Sequence, residues 1–334
     1  MSRERRALRA RRDHPAAPAT GADPSGPAAI ELRGLTKRFG DTLALDGVDL
    51  VVRPGVVFGF LGRNGAGKTT ALRILSGLAR PTEGTAHVLG HDVTQASDVV
   101  RAQIGFLPDV PGFYPWMTAR EYLEFAGQLF GIDPATLDAR ARALLEMAGL
   151  ASVTTRVGGF SRGMKQRLGI AQALINAPSL LMLDEPTSAL DPIGRHEVLE
   201  MVASLRGRTT VFFSTHILAD VERVCDAVAI LEQGRVVVSA SVDELTARAA
   251  ANRLIVELEG DDGAAVAGLL TGRVWLASLE RTEQTLRMTV SDLAVAQREI
   301  PAAIAAAGAA LRRFEIDDAS LEDVFVKLVG GAER

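Results

Sequence analysis

The sequence predicts an α/β fold built around a phosphate-binding turn, followed by a smaller α+β unit, and three observations predict it. An apolar run at residues 56–61 leads into Gly62-Arg63-Asn64-Gly65-Ala66-Gly67-Lys68-Thr69, after which Leu72, Leu75 and Leu78 fall at helical spacing. Two later apolar runs end in chemistry-bearing residues: 180–183 runs into Asp184 and Glu185, and 210–213 delivers Ser214, Thr215 and His216. Beyond residue 250 the pattern reads strand, helix, strand, strand, helix, strand, the order of a ferredoxin-like unit.

The glycine-rich turn is read first because its chemistry is the most specific. Glycines let the backbone approach a ligand closely and turn N–H groups inward, and the helix that follows adds partial positive charge at its N-terminus. In such a turn Lys68 reaches the β- and γ-phosphates of a nucleotide, and Thr69 places its hydroxyl on Mg²⁺, which prefers oxygen ligands. A glycine-rich turn without a ligand would need neither the Lys nor the Thr.

Composition bounds the rest. The chain has 334 residues, enough for two domains at roughly 150 each, and its 47% hydrophobic content supports real cores. A net charge of −4 gives no reason to expect nucleic acid as a partner. Cys225 is the only cysteine, which excludes an internal disulfide and a Cys-rich zinc site and fits a reducing compartment. No apolar run approaches the ~18 residues that span a bilayer, so the chain is expected to be soluble by itself. Arg11-Arg12 is followed by Asp, His, Pro and small residues, not by the apolar segment of an export signal.

Taken in order, residues 1–28 are Arg-rich and then Pro-, Ala- and Gly-rich, and read as a disordered arm, either a solvated tail or a contact for anionic lipid headgroups or acidic partners. Ile30, Leu32 and Leu35, then Leu43, Leu45, Val48, Leu50 and Val52, suggest paired strands around Gly40-Asp41. Phe39, at the end of the first, either stacks on a nucleobase or packs under the sheet. Short strand-like runs follow at 85–89 and 104–108. Aromatic residues then concentrate at Phe113, Tyr114, Trp116, Tyr122, Phe125 and Phe130. The loop 110–116 is expected to be exposed, and the helix opened by a Thr118/Glu121 capping box to turn its aromatic stripe mainly into the core.

A second helical stretch, 134–149, completes a helical insertion over about 110–175. Ser161 caps a helix that runs through Leu168, Ile170 and Leu174, and Asp191-Pro192 opens another with Val198, Met201, Val202 and Leu205 facing inward. Adjacent carboxylates at the end of a buried strand are costly without a role. In phosphoryl transfer Asp184 would serve the magnesium shell and Glu185 would orient or deprotonate water. The other histidines lack metal-ligand spacing, and no transition-metal site is expected. In the C-terminal unit, 253–259 reads as strand, 263–270 as helix, 274–279 and 286–290 as a hairpin, 301–307 as helix, 311–316 as strand and 321–328 as a last amphipathic helix. It carries no constellation for chemistry and is read as a stabilising or dimerising module, with regulation or substrate sensing as the alternative.

These motifs, in this order, resemble the nucleotide-binding subunit of an ABC transporter over residues 29–242, with 251–334 as an accessory domain. Gly62 to Thr69 is similar to the Walker A motif, Leu180 to Glu185 to the Walker B strand, Ser188-Ala189-Leu190-Asp191 to the D-loop, and His216 to the switch histidine. The resemblance implies a P-loop NTPase fold with a helical subdomain, ATP and Mg²⁺ as cofactors, and an adenine-stacking role for Phe39. Phosphate contacts fall to residues 62–69 and Thr70, and metal contacts to Thr69, Asp184 and Asp109. Glu185, His216, Lys68 and Asp191 take catalytic roles, with Ser161 and Gly163 reaching a nucleotide on the opposite copy.

Two positions depart from the family pattern. Phe160-Ser161-Arg162-Gly163-Met164 stands where Leu-Ser-Gly-Gly-Gln is usual, and Asp109 replaces the Q-loop glutamine, so it accepts but does not donate as an amide does. Both look like the ATPases of ABC-2 type exporters, which resemble drug and antibiotic-resistance pumps. Such a subunit implies a dimer, a separate integral membrane permease and a place on the cytoplasmic face of the membrane. The rival reading, a non-transport ATPase of the same fold acting in translation or DNA maintenance, calls for two cassettes or a long coiled coil. Here each motif occurs once and no sustained heptads are present.

Overall fold

The computed structural model describes residues 27–249, 253–260 and 263–316. The arm at the start and the last helix read at 321–328 lie outside the described residues. The chain divides into two compact units, the first ending at Ser241 and the second beginning at Val242.

The first unit opens with an antiparallel hairpin, β1 (Ile30–Phe39) and β2 (Thr42–Val52), turning at Gly40-Asp41 as its residue pattern predicts. Strand β3 (Val57–Gly62) follows, all six residues buried, and then the turn and helix α1 (Lys68–Leu75). Strands β4 (Glu83–Val88) and β5 (His91–Asp92) extend the hairpin into a sheet of order β2-β1-β4-β5. After α2 (Ser97–Gln103) and β6 (Ile104–Leu107) come three helices, α3 (Ala119–Leu129), α4 (Pro134–Met147) and α5 (Arg162–Ala173), which pack on one another. The unit is completed by β7 (Leu180–Asp184), α6 (Pro192–Ala203), β8 (Thr210–Thr215), α7 (Leu218–Val224), β9 (Ala227–Glu232) and β10 (Arg235–Ser241).

The second sheet has the order β10-β9-β3-β8-β7-β6, parallel throughout except for the edge strand β10. Its central strands are apolar runs rather than alternating ones, as expected where both faces are covered. Phe58 and Phe60 of β3 pack on Phe212 of β8, with ring centroids 5.7 and 5.3 Å apart. On the other side of β3, Cys225 fills the space that a side chain on Gly59 would need: a Cβ there would lie 2.9 Å from its sulfur. Burial raises the Cys225 thiol pKa well above its ordinary value.

Register decides function here. Leu61 pairs with Thr215, and Asp184 with Ser214, so β3, β8 and β7 end side by side. In an open α/β sheet, ligand crevices form outside the carboxyl ends of the strands.

The α3 capping box is present. The Thr118 hydroxyl accepts from the Glu121 N–H at 3.3 Å and the Glu121 carboxylate accepts from the Thr118 N–H at 2.8 Å. Thr118→Ala should lower stability by about 1 kcal/mol, read as an earlier urea midpoint with unchanged slope. The aromatic stripe after it divides, correcting the expectation of a core face. Tyr122, Leu123 and Ala126 are buried, whereas Leu129 and Phe130, at the C-terminal end of α3, are exposed.

The second unit contains α8 (Val242–Ala249), β11 (Arg253–Glu259), α9 (Gly263–Leu270), β12 (Leu276–Thr282), β13 (Thr285–Val290), α10 (Leu293–Ala306) and β14 (Ala310–Ile316). Sheet order β12-β13-β11-β14, all antiparallel, is the ferredoxin-like arrangement, with Trp275, Leu286, Ile300 and Ile304 in its core. Two element edges differ from the sequence reading. Helix α10 starts at Leu293, capped by Asp292, and carries Pro301 inside, whereas the sequence reading begins the helix at that proline. Strand β12 starts at Leu276, since Val274 points fully into solvent.

Candidate functional site

The turn after β3 is shaped by contacts that tolerate no side chain. A Cβ on Gly62 would lie 2.5 Å from the Leu231 carbonyl oxygen, and one on Gly67 2.4 Å from that of Ala44. Gly67 is the N-cap of α1 at φ 110°. The loop closes on itself through the Ala66 N–H to Arg63 carbonyl bond of 3.1 Å, and Gly234 donates to the Ala66 carbonyl at 3.1 Å.

Lys68 begins α1 with its side chain only 5% exposed, a cost that requires partners. It has three: the Gly62 carbonyl at 2.6 Å, the Arg63 carbonyl at 3.1 Å and the Glu185 carboxylate at 3.1 Å. The Thr69 hydroxyl donates to Asp184 Oδ1 at 3.2 Å, and Ser214 Oγ donates to the same oxygen at 2.6 Å. Burial raises the Asp184 pKa, the two hydroxyl donors oppose that, and the neighbouring charges of Asp109 and Glu185 add to it.

Glu185 leaves the strand in a left-handed conformation, φ 50°, unusual for a non-glycine residue. Its N–H is held by the Ser214 carbonyl at 3.2 Å and the Ser214 hydroxyl at 3.1 Å, which aims the carboxylate across to β8. There His216 Nδ1 lies 2.9 Å from Glu185 Oε2. An ionised carboxylate only accepts, so Nδ1 carries the proton in that contact.

A cleft of about 390 Å³ is lined by Asn64, Gly65, Gly67, Lys68, Thr69 and Thr70 on one side and Asp109, Glu185, Ser188 and His216 on the other, with Ala44 at its edge. Asp109 follows β6, whose Leu107 pairs with Leu183, one residue before Asp184. Phe39, read as either stacking or buried, is 54% exposed at the end of β1, so it does not pack under the sheet; the Lys37 ammonium lies 4.9 Å from its ring centroid.

Of the predicted residues, Gly62, Arg63, Ala66 and Asp184 stand beside or behind the cleft wall and Phe39 lies at the end of β1, whereas Ser161, Gly163 and Asp191 belong to a different place, the N-termini of α5 and α6. Asp191 accepts from the Gly194 N–H at 3.1 Å as N-cap of α6, and Ser161 accepts from the Met164 N–H at 3.2 Å as N-cap of α5. Gly163 sits with them: a Cβ on it would meet the Gly194 Cα at 3.6 Å, which sets the N-termini of α5 and α6 side by side. Sequence reasoning assigns no site role to Ser214 or Ser188. Ser214 is fully buried yet holds both Asp184 and Glu185, and its place on the row between Phe60 and Asp184 was the signal that could have found it.

The donor set is chemically coherent. Around Thr69 the gathered groups are oxygens of Thr69, Asp184, Asp109 and Glu185, which suit a hard cation, and backbone N–H groups with one buried ammonium suit phosphate. A carboxylate, a hydrogen-bonded imidazole and that ammonium within one cleft can activate water and stabilise charge on a transferred phosphoryl group.

Comparison with known proteins agrees with this chemistry. The ABC transporter family model matches residues 45–188, and the model of the ATP-binding protein DrrA1-3-like C-terminal domain matches residues 241–329. An uncharacterised ABC transporter ATP-binding protein, YxlF of Bacillus subtilis (strain 168), is 37% identical over 301 residues, covering 90% of this chain and 99% of its own. The daunorubicin resistance ATP-binding protein DrrA3 of Streptomyces coeruleorubidus is 39% identical over 311 residues, covering 92% of this chain and 97% of its own. A solved dimeric ATP-binding cassette in a post-hydrolysis state, bound to ADP and Pi, superposes with a TM-score of 0.57 at 27% identity, covering 64% of this chain and 98% of its own. Exporter subunits of this family bind ATP, dimerise and work with separate membrane permeases. Among the described residues no helix is long and apolar enough to cross a membrane. The chain belongs to the ATP-binding proteins of ABC transporters, in the ABC-2 type exporter group with a DrrA-like C-terminal domain, and is an ATPase that powers a membrane exporter.

Proposed function

We propose that this chain binds MgATP in the cleft at the ends of β3, β8 and β7, and hydrolyses it as one half of a two-copy sandwich on the cytoplasmic face of the membrane. The observation that supports this most is the convergence of Lys68, Thr69, Asp109, Glu185, Ser188 and His216 on one cleft from separate elements of the sheet. Backbone N–H groups of residues 62–70 and the Lys68 ammonium take the phosphates, and the exposed ring of Phe39 stacks on the adenine. Thr69, Asp184 and Asp109 hold Mg²⁺, directly or through water; the ion, when bound, neutralises phosphate charge. Glu185 accepts the proton of the attacking water and His216 contacts the γ-phosphate. Ser161, Gly163 and Asp191, absent from their own cleft but grouped at the N-termini of α5 and α6, complete the cleft of the opposite copy.

The permease side of this reading rests on the loop between Asp109 and Trp116. Tyr114 packs against Trp116 and Phe125 with centroids 5.2 and 5.4 Å away, while Trp116 stays 58% exposed and Val110 80%. An exposed aromatic cluster continuous with a cleft residue is suited to relay nucleotide state to a membrane partner. Trp116→Ala should weaken permease binding about 30-fold, the usual loss at an aromatic anchor worth ~2 kcal/mol. The check is co-purification from detergent-solubilised membranes and the permease-stimulated part of ATP turnover.

The same preparation tests the function as a whole. A polytopic membrane protein recovered in stoichiometric amount, raising ATP turnover on reconstitution, is the expected result. Recovery of ribosomes or DNA with no membrane protein would overturn it. The cargo class we infer is drugs, antibiotics or lipid-like compounds moved outward, supported by the resistance-related name of the DrrA3 relative.

A further inference from the structure

Asp220 lies outside the cleft's reacting groups, yet it is the most deeply enclosed carboxylate of the first unit's described residues, at 0% exposure. A buried carboxylate persists only where its oxygens are satisfied, and here both are. Oδ2 accepts from the Thr187 hydroxyl at 2.5 Å, and Oδ1 from Arg195 Nε at 2.5 Å. Thr187 is itself buried, at 1% exposure, two residues after Glu185. Asp220 stands on α7, which begins two residues after His216.

The segment from Glu185 to Asp191 needs such an anchor. It contains two non-glycine residues at positive φ, Glu185 at 50° and Ala189 at 52°, which persist only when surrounding structure over-determines them. Ser214 fixes one end by holding the Glu185 N–H. One attachment leaves the segment free to swing about it; a second, through Thr187, fixes its orientation. Both attachments run to the same corner of the fold, the end of β8 and the start of α7, which also carries His216.

We propose that Asp220 is a positioning residue for ATP hydrolysis: through Thr187 it holds the loop that carries Glu185 in register with His216, and through Arg195 it ties that loop to α6. This rests on the assignment of Glu185 as the group that acts on water. The clamp touches neither nucleotide nor reacting atoms, so cutting it should lower kcat while ATP affinity stays as it was.

The test is steady-state ATPase kinetics on the full chain with three substitutions. Thr187→Val removes the hydroxyl at nearly constant volume and is expected to lower kcat at least tenfold with KM for ATP little changed; because Asp220 Oδ2 then loses its donor, Tm should fall while the protein stays folded at assay temperature, and Thr187→Ser, which keeps the hydroxyl, should restore both kcat and Tm. If Thr187→Val does not fold, Arg195→Met cuts the clamp from its partly exposed side and should lower kcat in the same selective way. Unchanged kcat in the folded variant, an equal loss in ATP affinity, or a Thr187→Ser protein as slow as Thr187→Val would overturn the proposal. Glu185→Gln, measured alongside, separates the two levels. Normal turnover by it removes the assignment of Glu185, whereas an inactive Glu185→Gln beside a fully active Thr187→Val removes the clamp alone.

Discussion

Replacing Glu185 with Gln should reduce ATP turnover by about 10²- to 10⁴-fold, the range lost with a positioned general base. The substitution keeps the shape and the hydrogen-bonding length while removing the charge that accepts a proton. Its effect on binding has the opposite sign. Glu185 sits 3.1 Å from the Lys68 ammonium, so in the wild-type protein its carboxylate competes with the triphosphate for that cation. Neutralising it frees Lys68 for the nucleotide, and ATP affinity should hold or rise. With hydrolysis blocked and binding intact, the closed two-copy state should accumulate. Phosphate-release kinetics and size-exclusion chromatography with and without MgATP measure both halves; turnover within a few-fold of wild type would remove Glu185 from the chemistry.

The second large effect is expected at the phosphate loop, where two glycines make a controlled comparison. Gly67→Ala places a Cβ 2.4 Å from the Ala44 carbonyl oxygen and 2.9 Å from Leu45 Cδ2, at φ 110°, which side chains rarely adopt. The obstructing atom is backbone of β2, so relief requires moving a strand. Gly65→Ala also meets an unfavourable φ, 83°, but its Cβ would enter open space. The second variant therefore carries only the conformational penalty, about 1–2 kcal/mol, or 5- to 30-fold in ATP affinity if it falls entirely on the bound loop geometry. The first should lose 100-fold or more. Isothermal titration with MgATP and a thermal melt of each variant distinguish a damaged loop from a damaged fold. Equal losses in the two proteins would show that close approach to β2 does not govern the site.

The parts legible in the sequence were those whose chemistry is local. Strand, glycine turn and helix are contiguous around Lys68, so spacing alone placed the loop, and apolar runs ending in Asp184-Glu185 and in His216 placed two strands of the parallel sheet. The capping residues Thr118, Ser161 and Asp191 were legible for the same reason, because a cap acts within three residues. What stayed hidden depends on register between distant segments. Ser214 is one hydroxyl in a strand until β8 pairs with β7, and Asp220 is one acid on a helix face until Thr187 and Arg195 close on it. The split of the α3 aromatic stripe was hidden too. Helical spacing states which residues share a face, but not where the neighbouring helix stops covering it.

The contact between Gly59 and Cys225 makes the protein carry its own probe of opening. The single thiol of the chain is wedged against β3, 7% exposed, and its raised pKa keeps it in the unreactive protonated form. A thiol reagent therefore reacts only with molecules in which α7 has lifted from β3. The labelling rate then counts those excursions, and its change on adding nucleotide measures how much ligand binding tightens the very strand from which the phosphate loop springs.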